Sequence, residues 1–193
     1  VAQQSSDMIV QDDNFASIVT EIREGRIIFS NIRKFVIYQL SYHLSEILVI
    51  AAVSFTVMNL PLLPLQLLFL NLLVDVFPAL ALGVSRGMPN VMKLPPKDPE
   101  ESILTKQSWM MISTHGVILA IWVIGAYFTG LFYLDVSKEI ANNIAFFGLA
   151  FTQLLHVFDM RDRDEPFFKN QVTRNKYVWY ALAFCAVVIL AAY

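Results

Sequence analysis

Leu68-Phe-Leu-Asn-Leu-Leu-Val-Asp-Val-Phe-Pro-Ala-Leu-Ala-Leu-Gly83 is an apolar run interrupted by Asn71, Asp75 and Pro78. It lies within residues 65–84, and a helix that crosses a bilayer needs about 20 mostly apolar residues. A carboxyl group at membrane depth is costly and marks function by default. Pro78 brings no backbone N–H and clashes with the carbonyl four residues back, that of Val74. The helix is therefore predicted to loosen beside Asp75, with Pro78 as a structural hinge and the Val74 carbonyl free to act as a ligand. Unwound backbone next to carboxylates near the midplane is how membrane proteins build sites for hard cations.

The same apolar character recurs along the chain. Hydrophobic residues make up 56% of it, charged residues 16%, and the mean hydropathy is +0.56. A soluble domain is about 45–50% apolar and about 25% charged. The excess falls in blocks, so the fold class is predicted to be an all-α membrane protein. It is a bundle of transmembrane helices near residues 35–57, 65–84, 109–133, 143–160 and 177–193, the first extended as a stalk. Residues 16–34 read as that stalk, a charged amphipathic helix with Ile18, Ile22, Phe29 and Ile32 among Glu21, Arg23, Glu24 and Arg26. Asn14 is placed to cap it. No proline separates the stalk from the first span, so one long helix is expected from Phe15 to Val57. Pro61 and Pro64 mark the turn that follows, and 85–107 is a proline-containing polar loop.

Every Lys and Arg but Lys138 lies in the stalk, in the loop 85–107 or in the charged segment 161–176. Those three segments belong on one side of the membrane, and the positive-inside rule makes that side, with the N-terminal segment, cytoplasmic. The net charge of −2 and the lack of a dense basic face exclude nucleic acid as a partner. The lone Cys185 allows no disulfide within the chain and reads as a small buried or lipid-facing hydrophobe.

Two acidic residues lie deep in the spans, Glu46 and Asp75. Gln39, His43 and Glu46 are spaced i, i+4, i+7 and share one helical face, as do Asn71 and Asp75 at i, i+4. Gln153 and His156 lie in the fourth span, with Asp159 nearer its end. If the helices bundle, Glu46, His43, Asn71, Asp75 and Gln153 form one polar cluster. Gln39, His115 and His156 read instead as interhelical hydrogen-bond partners. For Gln153 both readings stand. His43 is open between ligand, proton-linked group and tether for Glu46. Glu46 and Asp75 read as functional, because Gln or Asn would serve packing at lower cost.

These residues resemble a family. Asp7-Met-Ile-Val-Gln-Asp-Asp-Asn-Phe15 resembles the end of the phosphorylation domain of type II P-type ATPases, the group of calcium, sodium/potassium and related cation pumps. Glu24-Gly-Arg-Ile-Ile-Phe-Ser-Asn-Ile-Arg-Lys34 resembles the stalk entering that family's fifth membrane helix, and the run from Leu68 to Gly83 its sixth. Lys93-Leu-Pro-Pro-Lys97 and Glu100-Glu-Ser-Ile103 resemble the loop after it. The resemblance implies that 1–15 is the remnant of the phosphorylation domain, 16–34 a cytoplasmic stalk and 35–193 the transmembrane domain. Asn71 and Asp75 then match the family's ion-binding Asn and Asp. Glu46 matches the calcium pump's fifth-helix glutamate, and Gln153 stands where that pump has a glutamate. His43 stands for an asparagine and Val74 for a threonine. These last three departures remove side-chain oxygens, which implies one ion per cycle or a different ion, and make proton counter-transport worth considering.

The function this implies is the ion-binding membrane half of an ATP-driven cation pump, with calcium as the transported cation. The Asp-Lys-Thr-Gly phosphorylation motif is not in the sequence. ATP and magnesium would thus act through domains outside it, and the chain alone is expected to be inactive. Its expected partners are the lipid bilayer and the N-terminal helices and cytoplasmic domains of the same pump. Its expected location is the plasma membrane or a bacterial inner membrane. The competing class is a non-enzymatic channel, carrier or scaffold derived from a pump.

Overall fold

The structure, a computed structural model, describes residues 14–57, 61–87, 90–96, 101–162 and 165–191, which are helices and connections with no strand among them. Residues 1–13, Asn59, Lys97, Glu100 and the end of the fifth span at 192–193 lie outside the described residues.

Helix α1 runs unbroken over Phe15–Val57, 43 residues. At 1.5 Å per residue this is about 65 Å, roughly twice the hydrocarbon thickness of a bilayer. Asn14 Oδ1 accepts from the Ala16 N–H at 3.0 Å and so starts it. The stalk half exposes Ile18, Ile22 and Ile32 and buries Ile27 and Asn31. The second span is less regular than its composition suggests. Helix α2, Pro64–Phe69, passes into a π-helical turn at Leu70–Val74, and α3 resumes over Val76–Gly83. The third span, α4 at Lys106–Phe128, also ends in a π turn, Thr129–Tyr133.

Helix α5, Lys138–His156, starts earlier than the apolar run, because Ser137 accepts from the Ile140 N–H and caps a polar first turn. It tightens into a 3₁₀ turn at Val157–Met160. A short α6, Gln171–Arg174, capped by Asn170, interrupts the charged segment before α7, Lys176–Ala191. Four of the spans are long and apolar enough to cross a membrane, and α7 is a shorter apolar helix. The chain is an integral membrane protein of helical-bundle type.

α1 is the central mast. It packs along α4 and against α3, α4 packs on α5, and α7 packs on α3. Gly116 makes the α1–α4 approach possible: a Cβ there would lie 2.9 Å from the Ser41 carbonyl and 2.9 Å from Leu44 Cδ2. The three basic segments meet at one end of the bundle and are tied to the mast. Arg26 donates to the Leu94 carbonyl at 2.8 Å, and Arg33 Nε to that of Ile103 at 2.8 Å. Asn31 donates to Ser85 O at 2.6 Å, and Lys34 pairs with Asp162 at 2.8 Å. Gly87, at φ +73°, seats the loop against Ile27, where a Cβ would meet Cγ1 at 2.5 Å.

The buried apolar residues form two clusters. One joins Tyr42, Val49, Val74, Val123 and Leu149; the other, toward the basic end, joins Tyr38, Ala79, Leu82, Ile112 and Val157. The polar residues of α1, the π turn and α5 lie at the junction between them.

Replacing Gly116 by Ala is expected to lower the unfolding temperature in detergent, at a cost of about 1–3 kcal/mol for overpacking. Gly125→Ala, where an added Cβ meets nothing within 4 Å, is expected to be neutral or slightly stabilising. Equal unfolding temperatures for the two variants would show that the close α1–α4 approach matters little.

Candidate cation site

The geometry begins at Pro78. With no N–H there, the Val74 carbonyl has no donor four residues on, and the ladder resets upstream. The Asp75 N–H reaches back five residues to Leu70 O at 2.9 Å, which is the π turn. π turns of this kind add a residue to the helical circuit and so change where the following side chain points. Here that side chain is Asp75, which is wholly buried.

Two amides hold it. Gln39 Nε2 on α1 donates to Asp75 Oδ2, and Gln153 Nε2 on α5 donates to Asp75 Oδ1. His43 bridges the two carboxyl groups: its Nδ1 is 3.5 Å from Glu46 Oε2 and its Nε2 is 3.6 Å from Asp75 Oδ2. Asn71 Nδ2 lies 3.5 Å from Glu46 Oε1. Glu46 is itself 7% exposed, so both acidic groups sit inside the protein. The structure thus brings together all five residues expected to cluster: Glu46, His43, Asn71, Asp75 and Gln153.

The amide oxygens are the unusual part. Gln39 Oε1, Asn71 Oδ1 and Gln153 Oε1 are buried and have no hydrogen-bond partner. Leaving a buried acceptor unmade costs roughly 1–3 kcal/mol. Three such acceptors in one layer, beside two carboxyl groups, form a set of oxygens suited to a hard cation. Among the described residues, no group of three or more His, Cys, Asp and Glu could hold a metal ion. The donor set here is two carboxyl groups plus amides, with no third acidic ligand.

Other expectations resolve differently. The Val74 carbonyl is free of a helical donor, but the group beside it is Cys185 Sγ of α7, at 3.9 Å. Cys185 is buried, in keeping with its reading as a small hydrophobe. Gln39, read as an interhelical hydrogen-bond partner, makes such a bond, and the partner is Asp75. Its spacing on the His43–Glu46 face was the signal that could have placed it in the site.

His156 stays outside. It stacks on Tyr38 with centroids 5.6 Å apart, meets His115 edge-on at 5.0 Å, and holds Asp159 Oδ2 at 3.2 Å from Nδ1. Phe146 packs inside, while Phe151 is exposed.

Residues 59–193 match the family model for the C-terminus of cation transporting ATPases. The chain is 36% identical over 170 residues, 88% of its length, to the calcium-transporting ATPase of Bacillus subtilis, of which this is 19%. It is 35% identical over 185 residues, 96% of its length, to calcium-transporting ATPase 1 of Lactococcus lactis, of which this is 21%. A plasma membrane-type calcium-transporting ATPase 12 of Arabidopsis thaliana is 28% identical over 176 residues, 91% of the chain and 17% of that protein. The chain spans about a fifth of the length of the curated relatives it matches.

The two-amide grip on Asp75 predicts a coupled stability effect. Gln153→Leu removes one donor from a buried carboxyl group and should cost about 1–3 kcal/mol, read as a lower unfolding temperature in detergent. Adding Asp75→Leu should recover part of that loss, because the group that needed the donor is gone. A double variant no more stable than Gln153→Leu alone would show that the two are not coupled.

Proposed function

The chain belongs to the cation-transporting ATPase family, and from that premise we propose that it is the ion-binding membrane part of a calcium pump. The observation that carries this reading is the buried layer itself: Glu46 and Asp75 on neighbouring helices, bridged by His43, with three unpartnered amide oxygens around them. Calcium takes 6–8 oxygen ligands from carboxylates, amides and carbonyls. Glu46, Asn71, Asp75 and Gln153 are the assigned ligands. The Val74 carbonyl is a weaker candidate, since its neighbour is Cys185, and Pro78 is the hinge. The remaining ligands come from membrane helices outside this chain. The names of the relatives support calcium as the cargo.

The mechanism follows from the mast. α1 carries Glu46 and His43 at membrane depth and extends to the basic end as one stiff helix. In the full pump, residues 1–15 close the phosphorylation domain and 16–34 are the stalk that leaves it on the cytoplasmic side. ATP and magnesium act there, outside this chain, which alone hydrolyses no ATP. A tilt of the stalk is passed down α1, with the loops tied to Arg26, Asn31, Arg33 and Lys34 moving along. Glu46 then shifts relative to Asp75, which lies on a different helix. The oxygens separate, the cation is released, and access changes sides by rigid-body motion. The surrounding bilayer is a plasma membrane or a bacterial inner membrane. The channel, carrier or scaffold reading is not favoured by any feature of the site.

In the full-length protein, phosphorylation by ATP is expected to require calcium in a screen of divalent and monovalent cations. Asp75→Asn should raise the calcium needed roughly 100-fold or more, about 2.7 kcal/mol. Calcium dependence left unchanged by Asp75→Asn would remove the site from this layer, and phosphorylation indifferent to calcium would remove calcium as the cargo.

A further inference from the structure

Gln39 has more to offer than a tether. It lies on the face of α1 that carries His43 and Glu46, one turn before His43. Its Nε2 is engaged with Asp75 and sits 3.5 Å from His43 Nε2, whereas its Oε1 is buried with no partner. The amide thus presents its positive end to the carboxyl group and leaves its negative end unused inside the protein.

A cation arriving at Asp75 Oδ2 cannot coexist with that orientation, because the N–H groups would point at it. Rotation about the last side-chain bond exchanges the two ends of the amide, and that torsion is broad and roughly two-fold, so the exchange needs no backbone movement. It would bring Oε1 to the cation. His43 on the same face has no oxygen to give, whereas Gln39, one turn before it, has a buried oxygen free to serve as a hard ligand.

We propose that Gln39 is a ligand of the transported divalent cation, its amide turning from N–H donation to Asp75 to oxygen donation to the ion. The inference rests on the calcium-pump reading and deepens it: it assigns a neutral oxygen that helps the layer accept a divalent ion with two carboxyl groups. Gln153 undergoes the same exchange from the opposite side, so the two amides close on the ion from α1 and α5.

The test uses the full-length pump and separates the two ends of the amide. Gln39→Met keeps the shape but has neither N–H nor oxygen; Gln39→Glu keeps the oxygen and loses the N–H. Calcium is titrated against phosphorylation by ATP and, with no ATP present, against the unfolding temperature in detergent. Gln39→Met is expected to raise the calcium needed for half-maximal effect roughly tenfold or more in both titrations, in the range seen when groups around a metal are removed. Gln39→Glu is expected to stay within about threefold of the wild type or to bind more tightly, since an added negative oxygen suits a hard cation.

An unchanged Met variant overturns the assignment. So does a Glu variant as weak as Met, which would make Gln39 a tether for Asp75 and nothing more. If Gln39→Met does not fold, the Glu variant still decides. A wild-type pump that calcium neither stabilises nor activates defeats the calcium reading instead, whatever the variants do.

Discussion

A proline without an N–H sits four residues after a valine whose carbonyl needs one. In a soluble protein, water would repair that mismatch. Inside a bilayer each unmet backbone group is expensive, so the ladder must rearrange within the helix. It does so by widening into the π turn at Leu70–Val74, closed by the Asp75 N–H on Leu70 O. The turn determines the direction of Asp75, and Asp75 is the residue on which Gln39, His43 and Gln153 converge. The polar layer between the two apolar clusters is therefore organised around one missing hydrogen.

Such a layer weakens the bundle as a packed object. Two buried carboxyl groups and three unpartnered amide oxygens stand where leucines would pack at no such cost. The surroundings compensate with close helix contact. Gly116 lets α4 lie against the α1 backbone at Ser41, two residues before His43 and five before Glu46. Tyr38 and Tyr42, both wholly buried, directly precede Gln39 and His43 on α1. At the basic end, side chains of α1 bind backbone carbonyls of the loop after α3. Side-chain hydrogen bonds to backbone carbonyls tie these loops to the stalk without relying on exposed ion pairs, which are worth little.

Much of this was legible in the sequence. The apolar blocks, the unbroken α1 and the one-sided basic residues gave the bundle and the gathering of its basic segments at one end, because a bilayer constrains length and charge more tightly than water does. Glu46, His43, Asn71, Asp75 and Gln153 could be assembled from helical spacing and the cost of burial. The Gln39–Asp75 bond could not, because it depends on how far α1 is rotated against α3. Nor could the reach of the Val74 carbonyl: Pro78 announces that it is free, while its surroundings depend on where α7 places Cys185. The early start of α5 at Lys138 and the short α6 are set by Ser137 and Asn170 as caps, which outweigh hydropathy at a helix end.

The balance of donors also says where the rest of the site must come from. A calcium ion needs at least six oxygens, and good sites concentrate charge among them. Glu46 and Asp75 supply two carboxyl groups; Asn71, Gln153 and Gln39 can supply three neutral oxygens. His43 supplies none, and it stands between the two acidic residues at 3.5 and 3.6 Å. In the proposed site, a cation held between the two carboxyl groups takes the place of the imidazole in that bridge. With each carboxyl group binding through one oxygen, the layer then offers five oxygens, one fewer than six, and the sixth is assigned to other helices of the pump. That shortage makes binding contingent on how those helices are placed, and a site whose ligand count changes with helix position is what alternating access requires.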